Sequence, residues 1–350
     1  MASTAGDAVA VPPSTTPLPT TMRAIVQEAY GDAEVLRATE RPLPRALRDD
    51  EVLVRVHAAG LDRGTWHLMT GTPYAVRLAM GLRRPRQPVP GLDLAGTVAA
   101  VGAAVTGFAP GDEVYGIGSG TFADYAIAKE GKLAGKPATL THEQAATVPV
   151  SAITALQAVT DLAHVQAGQR VLVTGASGGV GSYAVQLAVA AGAEVTGVCS
   201  AAKADLVRSL GATHVLDYRT DDFADGSTRY DAIIDIAGNA SLSRLRRALT
   251  PQGTAVLVGG EDAGRLTGMS RQLRALAVSL FVGQRLTMRV PKESASDLAR
   301  LSVLIADGRV TPSVGASYPL ADAAEAMRDL VAGRVSGKAA ITVLPSGDTP

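Results

Sequence analysis

From about Met22 to about Thr147, short apolar runs alternate with Gly, Pro and Asp turns. TMRAIVQEA, EVLVRVHAAG, LDLAGTVAAVG and FADYAIA each predict a β-strand, with Pro110-Gly111-Asp112 as a turn. The stretch from Leu61 to Pro90 breaks this pattern. It is dense in Arg and Pro, includes RLAMGLRRPRQP, and reads as a long loop of a kind that marks function or disorder inside a compact domain. From about Val148 the texture changes. RVLVT predicts a strand, followed by a helix to about Ala191, a strand over EVTGVC and a helix over AAKADLVRSL closed by Gly211. HVLDY, DAIIDIA, a helix over LSRLRRAL ended near Pro251, TAVLVGG and FVGQRLTM continue the series, the last as a sixth strand. Such alternation is the pattern of a parallel sheet with helices on both faces. Beyond Pro291 a helix to about Ala306, another over DAAEAMRDLVAG and a final strand KAAITVLP resemble the first part, and are expected to return and complete it.

The resulting fold class is α/β, in two domains. A β-rich domain covers residues 22–147 and is completed by 289–350; a doubly wound parallel sheet covers 148–288; residues 1–21 form a tail. That tail is rich in Ala, Pro, Ser and Thr and cannot bury enough apolar surface to offset its ordering entropy, so disorder is expected. It has neither the basic start nor the apolar stretch of a secretory signal.

Composition narrows the function classes. Lys+Arg and Asp+Glu both number 33, which leaves no basic excess for a nucleic-acid partner. No run approaches the roughly 18 apolar residues of a membrane span; the best candidate, around Ala184 to Cys199, is interrupted by Gln186 and Glu194. The expectation is a soluble, cytoplasmic protein without a membrane partner. Cys199 is the sole cysteine, so no disulfide forms within the chain.

Candidate chemistry centres on VLVTGASGGVGSYAVQLAVAAGAEVTGVC. Ala176-Ser177-Gly178-Gly179-Val180-Gly181 fits the dinucleotide-binding fingerprint with Ala in place of the first Gly. It follows an apolar strand and opens a helix, so the N–H groups near Gly179 and Val180 are expected to face a pyrophosphate. Gly175 to Gly179 also spells G-x-S-x-G, the elbow of a serine hydrolase. That mechanism needs a histidine further along, and only His214 follows Ser177, at the entrance to a strand. Ser177 is therefore read as a phosphate hydrogen-bond donor. An NAD site usually carries Asp or Glu about 20 residues beyond the loop. Cys199 and Ser200 stand there, with Lys203 close behind. The absent carboxylate removes repulsion of a 2′-phosphate, and hydroxyl plus ammonium can bind one, so NADPH is favoured. The alternative is that Lys203 is an ordinary solvated helix residue.

With these elements in place, LDLAGTVAAVGAAVTGFAPGDEVYG, TVPVSAITALQAV, VLVTGASGGVGSYAVQLA, RSLGATHVLDY and GKAAITV together resemble the medium-chain dehydrogenase/reductase superfamily, in its zinc-independent quinone oxidoreductase-like branch. The resemblance implies a GroES-like β-rich domain, a Rossmann domain and a cofactor cleft between them. It implies that Ser200, Lys203 and Tyr218 lie at the adenosine phosphate end, that Thr154 lies near the nicotinamide, and that a homodimer forms through the Rossmann sheet with FVGQRLTM as edge strand. Zinc-dependent relatives carry Cys where this chain has Asp62 and His-Glu where it has Leu92-Asp93. Two carboxylates are not a zinc ligand set, so no metal is expected.

Hydride transfer to a small substrate must then be completed by a proton. Relatives often have Asn-x-x-Asp in the segment that reads Asp62-Arg63-Gly64-Thr65 here, and His67 falls where some place Tyr. An imidazole with an ordinary pKa near 6.5 can release a proton at neutral pH. His67 and Asp62 are thus the candidate catalytic residues; the alternatives are a cleft-edge histidine bonded to backbone and an aspartate that caps the following turn. Trp66 and Tyr74 either line an apolar pocket or simply pack. Arg77, Arg83, Arg84 and Arg86 either favour an anionic substrate or form a solvated face. His57 reads as structural, and Asn239 as a further cofactor contact. The expected function is NADPH-dependent hydride transfer to a quinone, enone, alkenal or related carbonyl. An enoyl-thioester reductase of polyketide type, or a non-catalytic NADPH-binding sensor, stands as the alternative.

Overall fold

The computed structural model describes residues 17–259, 269–288 and 292–344. The tail expected over residues 1–21 lies outside the described residues up to residue 16, and Thr21 already opens a strand.

The chain starts with an antiparallel pair, β1 (Thr21–Val26) and β2 (Arg37–Pro42). β3 (Glu51–Leu61) then enters the main N-terminal sheet. Its Val52, Val54 and Val56 are buried in the core of this domain, while Ala58 belongs to the core shared with the second domain. Burial on both faces explains why EVLVRVHAAGL is almost continuously apolar. The stretch read as a loop after β3 contains two short helices, α1 (Arg63–Thr70) and α2 (Val76–Met80). α1 forms because the Asp62 carboxylate accepts from Thr65 N at 2.8 Å, and it stops because Gly71 takes φ 62°. β4 (Asp93–Val101), β5 (Glu113–Ser119) and β6 (Tyr125–Gly135) follow, and β6 also pairs with β3, which closes the sheet on itself.

After α3 (His142–Ala146), α4 (Pro149–Leu156) leads into the second domain. There β7 (Arg170–Thr174), α5 (Gly179–Ala190), β8 (Glu194–Cys199), α6 (Ala204–Ser209), β9 (His214–Asp217), β10 (Tyr230–Asp235), α7 (Leu242–Ala248), β11 (Leu249–Leu257), α8 (Ser270–Ser279) and β12 (Arg285–Thr287) build a six-stranded sheet. Its order is β12-β11-β10-β7-β8-β9, all parallel. The order reverses between β7 and β10, so a crevice opens beyond their C-terminal ends. The helix expected over LSRLRRAL runs from Leu242 to Ala248; the chain turns extended at Leu249, and Pro251 sits where the pairing with β10 is irregular.

The return to the first domain is less abrupt than the sequence suggests. α9 (Ala295–Ala306) sends Leu298, Leu301 and Ile305 into the same core as α4 and α5, which Ala58, Ala95, Tyr115 and Ile117 of the first domain also join. One hydrophobic cluster therefore spans both domains, beside a separate one within the first. β13 (Val314–Pro319), α10 (Ala323–Val331) and β14 (Lys338–Thr342) finish the chain, with β14 antiparallel to β3 and parallel to β13. No helix of the described residues is long and apolar enough to cross a membrane.

Candidate active site

The loop between β7 and α5 is shaped by its glycines. Gly175 holds φ 67°, so the sharp turn falls one residue before the Ala that replaces the first fingerprint glycine. A Cβ on Gly181 would lie 2.1 Å from the Gly175 carbonyl oxygen, so only glycine lets α5 approach the turn this closely. Gly178, extended at φ −88° and ψ 179°, caps α5 with no side chain of its own. A Cβ there would touch only Gly175 O, at 3.4 Å. The first N–H groups of α5, at Gly179 and Val180, have no intrahelical acceptor and carry the positive end of the helix dipole. This cradle fits a diphosphate. Ser177 is nearly buried, and its carbonyl accepts from Gly337 N at 2.8 Å, so the loop is fastened to the strand-bearing C-terminal segment.

At the far end of β8, Cys199 is buried and Ser200 leads into the short turn Ala201–Lys203. The Lys203 ammonium does not stand free: it donates to Gly333 O at 2.8 Å and Val335 O at 2.6 Å, and burial lowers its pKa. Two of its three donors are thus used on the backbone either side of Arg334, whose own guanidinium is paired with Asp329. Tyr218 is exposed and has Arg219 over its ring. A carboxylate is present one strand over, at Asp217, but backbone N–H groups of Ala201 and Arg219 occupy its two oxygens.

Across the crevice, Thr154 is almost buried and lines a recess with Gln157, Ala158 and Val256. Its hydroxyl is used locally, donating to Val150 O at 2.7 Å. The loop after β10 is held from below. Thr174 Oγ1 donates to Asp235 Oδ1 at 2.7 Å and accepts from Ile236 N and Ala237 N, while Arg271 donates to Asp235 Oδ2 at 2.5 Å and to Ala240 O. Asn239 stands exposed on this loop.

The candidate catalytic residues separate. Asp62 is a cap rather than an open substrate contact: its side chain is 8% exposed, one oxygen holds Thr65 N, and the other lies 3.8 Å from the Lys338 ammonium. His67 is half-buried at the end of α1, and its Nδ1–H donates to Thr72 O at 2.8 Å. This leaves Nε2 as the free ring nitrogen. Tyr74 is exposed, and Arg77 is structural, lying over the Tyr30 and Tyr74 rings and donating to Gly71 O. His57 stacks on His142 at 4.2 Å between ring centres, and burial lowers its pKa to about 4.

The residue that sequence reasoning missed altogether is Lys338. Its fully buried ammonium lies 3.5 Å from Asp93 Oδ2 and 3.8 Å from Asp62 Oδ2. Asp93 is wholly buried, and this pushes its pKa up to about 7 against the opposing pull of Lys338. The only hint in the sequence is a lysine opening an otherwise apolar strand. Zinc does not fit here. The two carboxylates already flank a cation, and among the described residues no three His, Cys, Asp or Glu side chains group as a metal site.

Residues 48–138 match the family model described as alcohol dehydrogenase GroES-like domain, and residues 210–341 the one described as zinc-binding dehydrogenase. The chain is 31% identical over 343 residues to a chloroplast envelope quinone oxidoreductase homolog of Arabidopsis thaliana, covering 91% of this chain and 97% of that one. It is 34% identical over 318 residues to the spectinabilin polyketide synthase system protein NorB of Streptomyces orinoci, covering 88% of this chain and 14% of the relative. The quinone oxidoreductase of Escherichia coli complexed with NADPH superposes with a TM-score of 0.78 at 25% identity, over 92% of this chain and all of that one.

Proposed function

Since the chain belongs to the medium-chain dehydrogenase/reductase family, in its quinone oxidoreductase-like group, we infer that it is an NADPH-dependent reductase of quinones, enones, alkenals or related small carbonyl compounds, working without zinc. The observation that carries this reading is the glycine cradle of residues 175–181, opening onto the crevice between β7 and β10 with Thr154 on the facing wall. Bound NADPH supplies the hydride. The N–H groups of Gly179 and Val180 would hold its diphosphate, and the loop braced by Asp235 and Arg271 would help wall the crevice.

NADPH over NADH is supported by Ser200, Lys203 and Tyr218 around a strand end that bears no free carboxylate. His67 is the proposed proton donor. With Nδ1–H tied to Thr72, the proton that reaches the substrate oxygen leaves Nε2 of the imidazolium, and solvent restores it. The molecule is proposed to work as a homodimer joined along β12.

NADPH oxidation by EDTA-treated protein, with NADH in parallel, tests the reading against quinones, enones, alkenals and an enoyl thioester. Turnover that survives chelation and prefers NADPH by about tenfold or more, a difference of about 1.4 kcal/mol, is expected. Activity restored only by added zinc, or equal use of both cofactors, overturns the corresponding part. The enoyl thioester belongs in the panel for a specific reason: the polyketide relative is 34% identical, and residues 63–92 hold five arginines and no acidic residue. NADPH binding without oxidation of any acceptor favours a sensor.

A further inference from the structure

Lys338 links three parts of the cleft, directly or through its immediate neighbours. Its ammonium lies between Asp62, the cap of α1, and Asp93, whose other oxygen accepts from Val150 N at 2.9 Å at the start of α4. α1 carries His67, and Thr154 sits one turn along α4. The Lys338 stem runs against the first residue of α5: a Cβ on Gly179 would come within 2.8 Å of Lys338 Cδ and 3.3 Å of Ser151 Oγ. The neighbouring Gly337 N holds Ser177 O. One buried cation on β14 therefore meets the elements that carry the proposed proton donor, the nicotinamide wall and the diphosphate cradle.

The contacts are long for a purely structural ion pair. At 3.5 and 3.8 Å, the ammonium makes no short hydrogen bond to either carboxylate. Asp62 Oδ2, Thr65 Oγ1 and Ser151 Oγ, all buried, have no hydrogen-bond partner in the structure. Burial of three charges in this loose arrangement adds little stability, because desolvation offsets most of the attraction. The loose geometry points instead to a functional arrangement.

We propose that Lys338 is a positioning residue for hydride transfer, its charge drawing α1, α4 and the diphosphate loop into one register across the domain boundary. This rests on the reading of the cleft as an NADPH site.

The test separates position from stability. Lys338→Met alone leaves two buried carboxylates unpaired and is expected to lower Tm. The double variant Lys338→Met/Asp93→Asn neutralises the wholly buried one of the two carboxylates; its Asn can still accept from Val150 N and Asp62 keeps its bond from Thr65 N, so Tm is expected to recover in large part. If Lys338 positions, kcat of the double variant stays about 10- to 100-fold down while KM for NADPH changes little. The isotope effect with NADPH deuterated at both C4 positions should rise, and the emission anisotropy of bound NADPH, which needs no acceptor, should fall. Recovery of kcat together with Tm, or unchanged anisotropy, overturns the proposal and returns Lys338 to a structural role. Wild-type protein that takes up no NADPH in the same titration overturns the cofactor reading beneath it.

Discussion

At the scale of single residues, hydrogen bonds already made in the structure restrict what each candidate can do. Asp62 was placed at the centre of the chemistry by its position in the sequence, but one of its oxygens holds the start of α1 and the other is buried, 3.8 Å from the Lys338 ammonium. His67 keeps one nitrogen free, and this makes its role separable from its structural bond. His67→Asn places an amide N–H where Nδ1–H donates to Thr72 O, whereas His67→Phe has no donor. If Nε2 delivers the proton, both variants should lose about 10²-fold or more in kcat with NADPH affinity unchanged. Full turnover in the Asn variant alone, in a steady-state assay, would show that the ring only holds the turn. The sequence offered these bonds only as alternatives, a backbone-bonded histidine and a capping aspartate, because a one-dimensional pattern shows that a polar residue is present but not which of its atoms are already committed.

Elements were far more legible, since the signals that define them are local. The strand-turn-helix from Arg170 to Ala190 was readable from apolar alternation and small residues, and the capping signals around α1 were present as Asp62 and Gly71, although the Arg and Pro content of the segment outweighed them. Lys338 was not legible: its partner Asp93 is 245 positions away, and only folding of β14 beside β3 brings them together. Two neighbouring glycines of the cradle give a test at this scale. Gly178 has an ordinary φ and room for a methyl group, so Gly178→Ala should keep stability within about 0.5 kcal/mol yet weaken NADPH by about tenfold, because the methyl projects into the diphosphate path. Gly181→Ala instead collides with Gly175 O and should destabilise the fold by about 1–3 kcal/mol. Thermal denaturation and NADPH titration of both variants check this. NADPH affinity unchanged in a well-folded Gly178→Ala variant would remove the diphosphate from this loop.

For the whole molecule, one buried cluster ties the two domains together, and a run of exposed apolar residues lies away from it. Leu273, Leu276, Leu280 and Phe281, the last 86% exposed, cluster in sequence just before the edge strand β12. An unpaired edge beside such a patch favours a second copy. Sedimentation is expected to give a dimer, and Leu280→Asp/Phe281→Glu to give a monomer; a monomeric wild type would remove the homodimer. The placement of β14 also has a consequence in time. The strand that supplies Lys338, and whose entry fastens the diphosphate loop, comes after every other described strand of both sheets in the sequence, yet it lies between β13 and β3 in the sheet. A nascent chain can form its glycine cradle early, but until residues 338–342 have left the ribosome β3 lacks this neighbour and the cleft lacks its buried cation. Firm cofactor capture is therefore expected only once β14 has taken its place beside β3, well after the cradle residues themselves have been made.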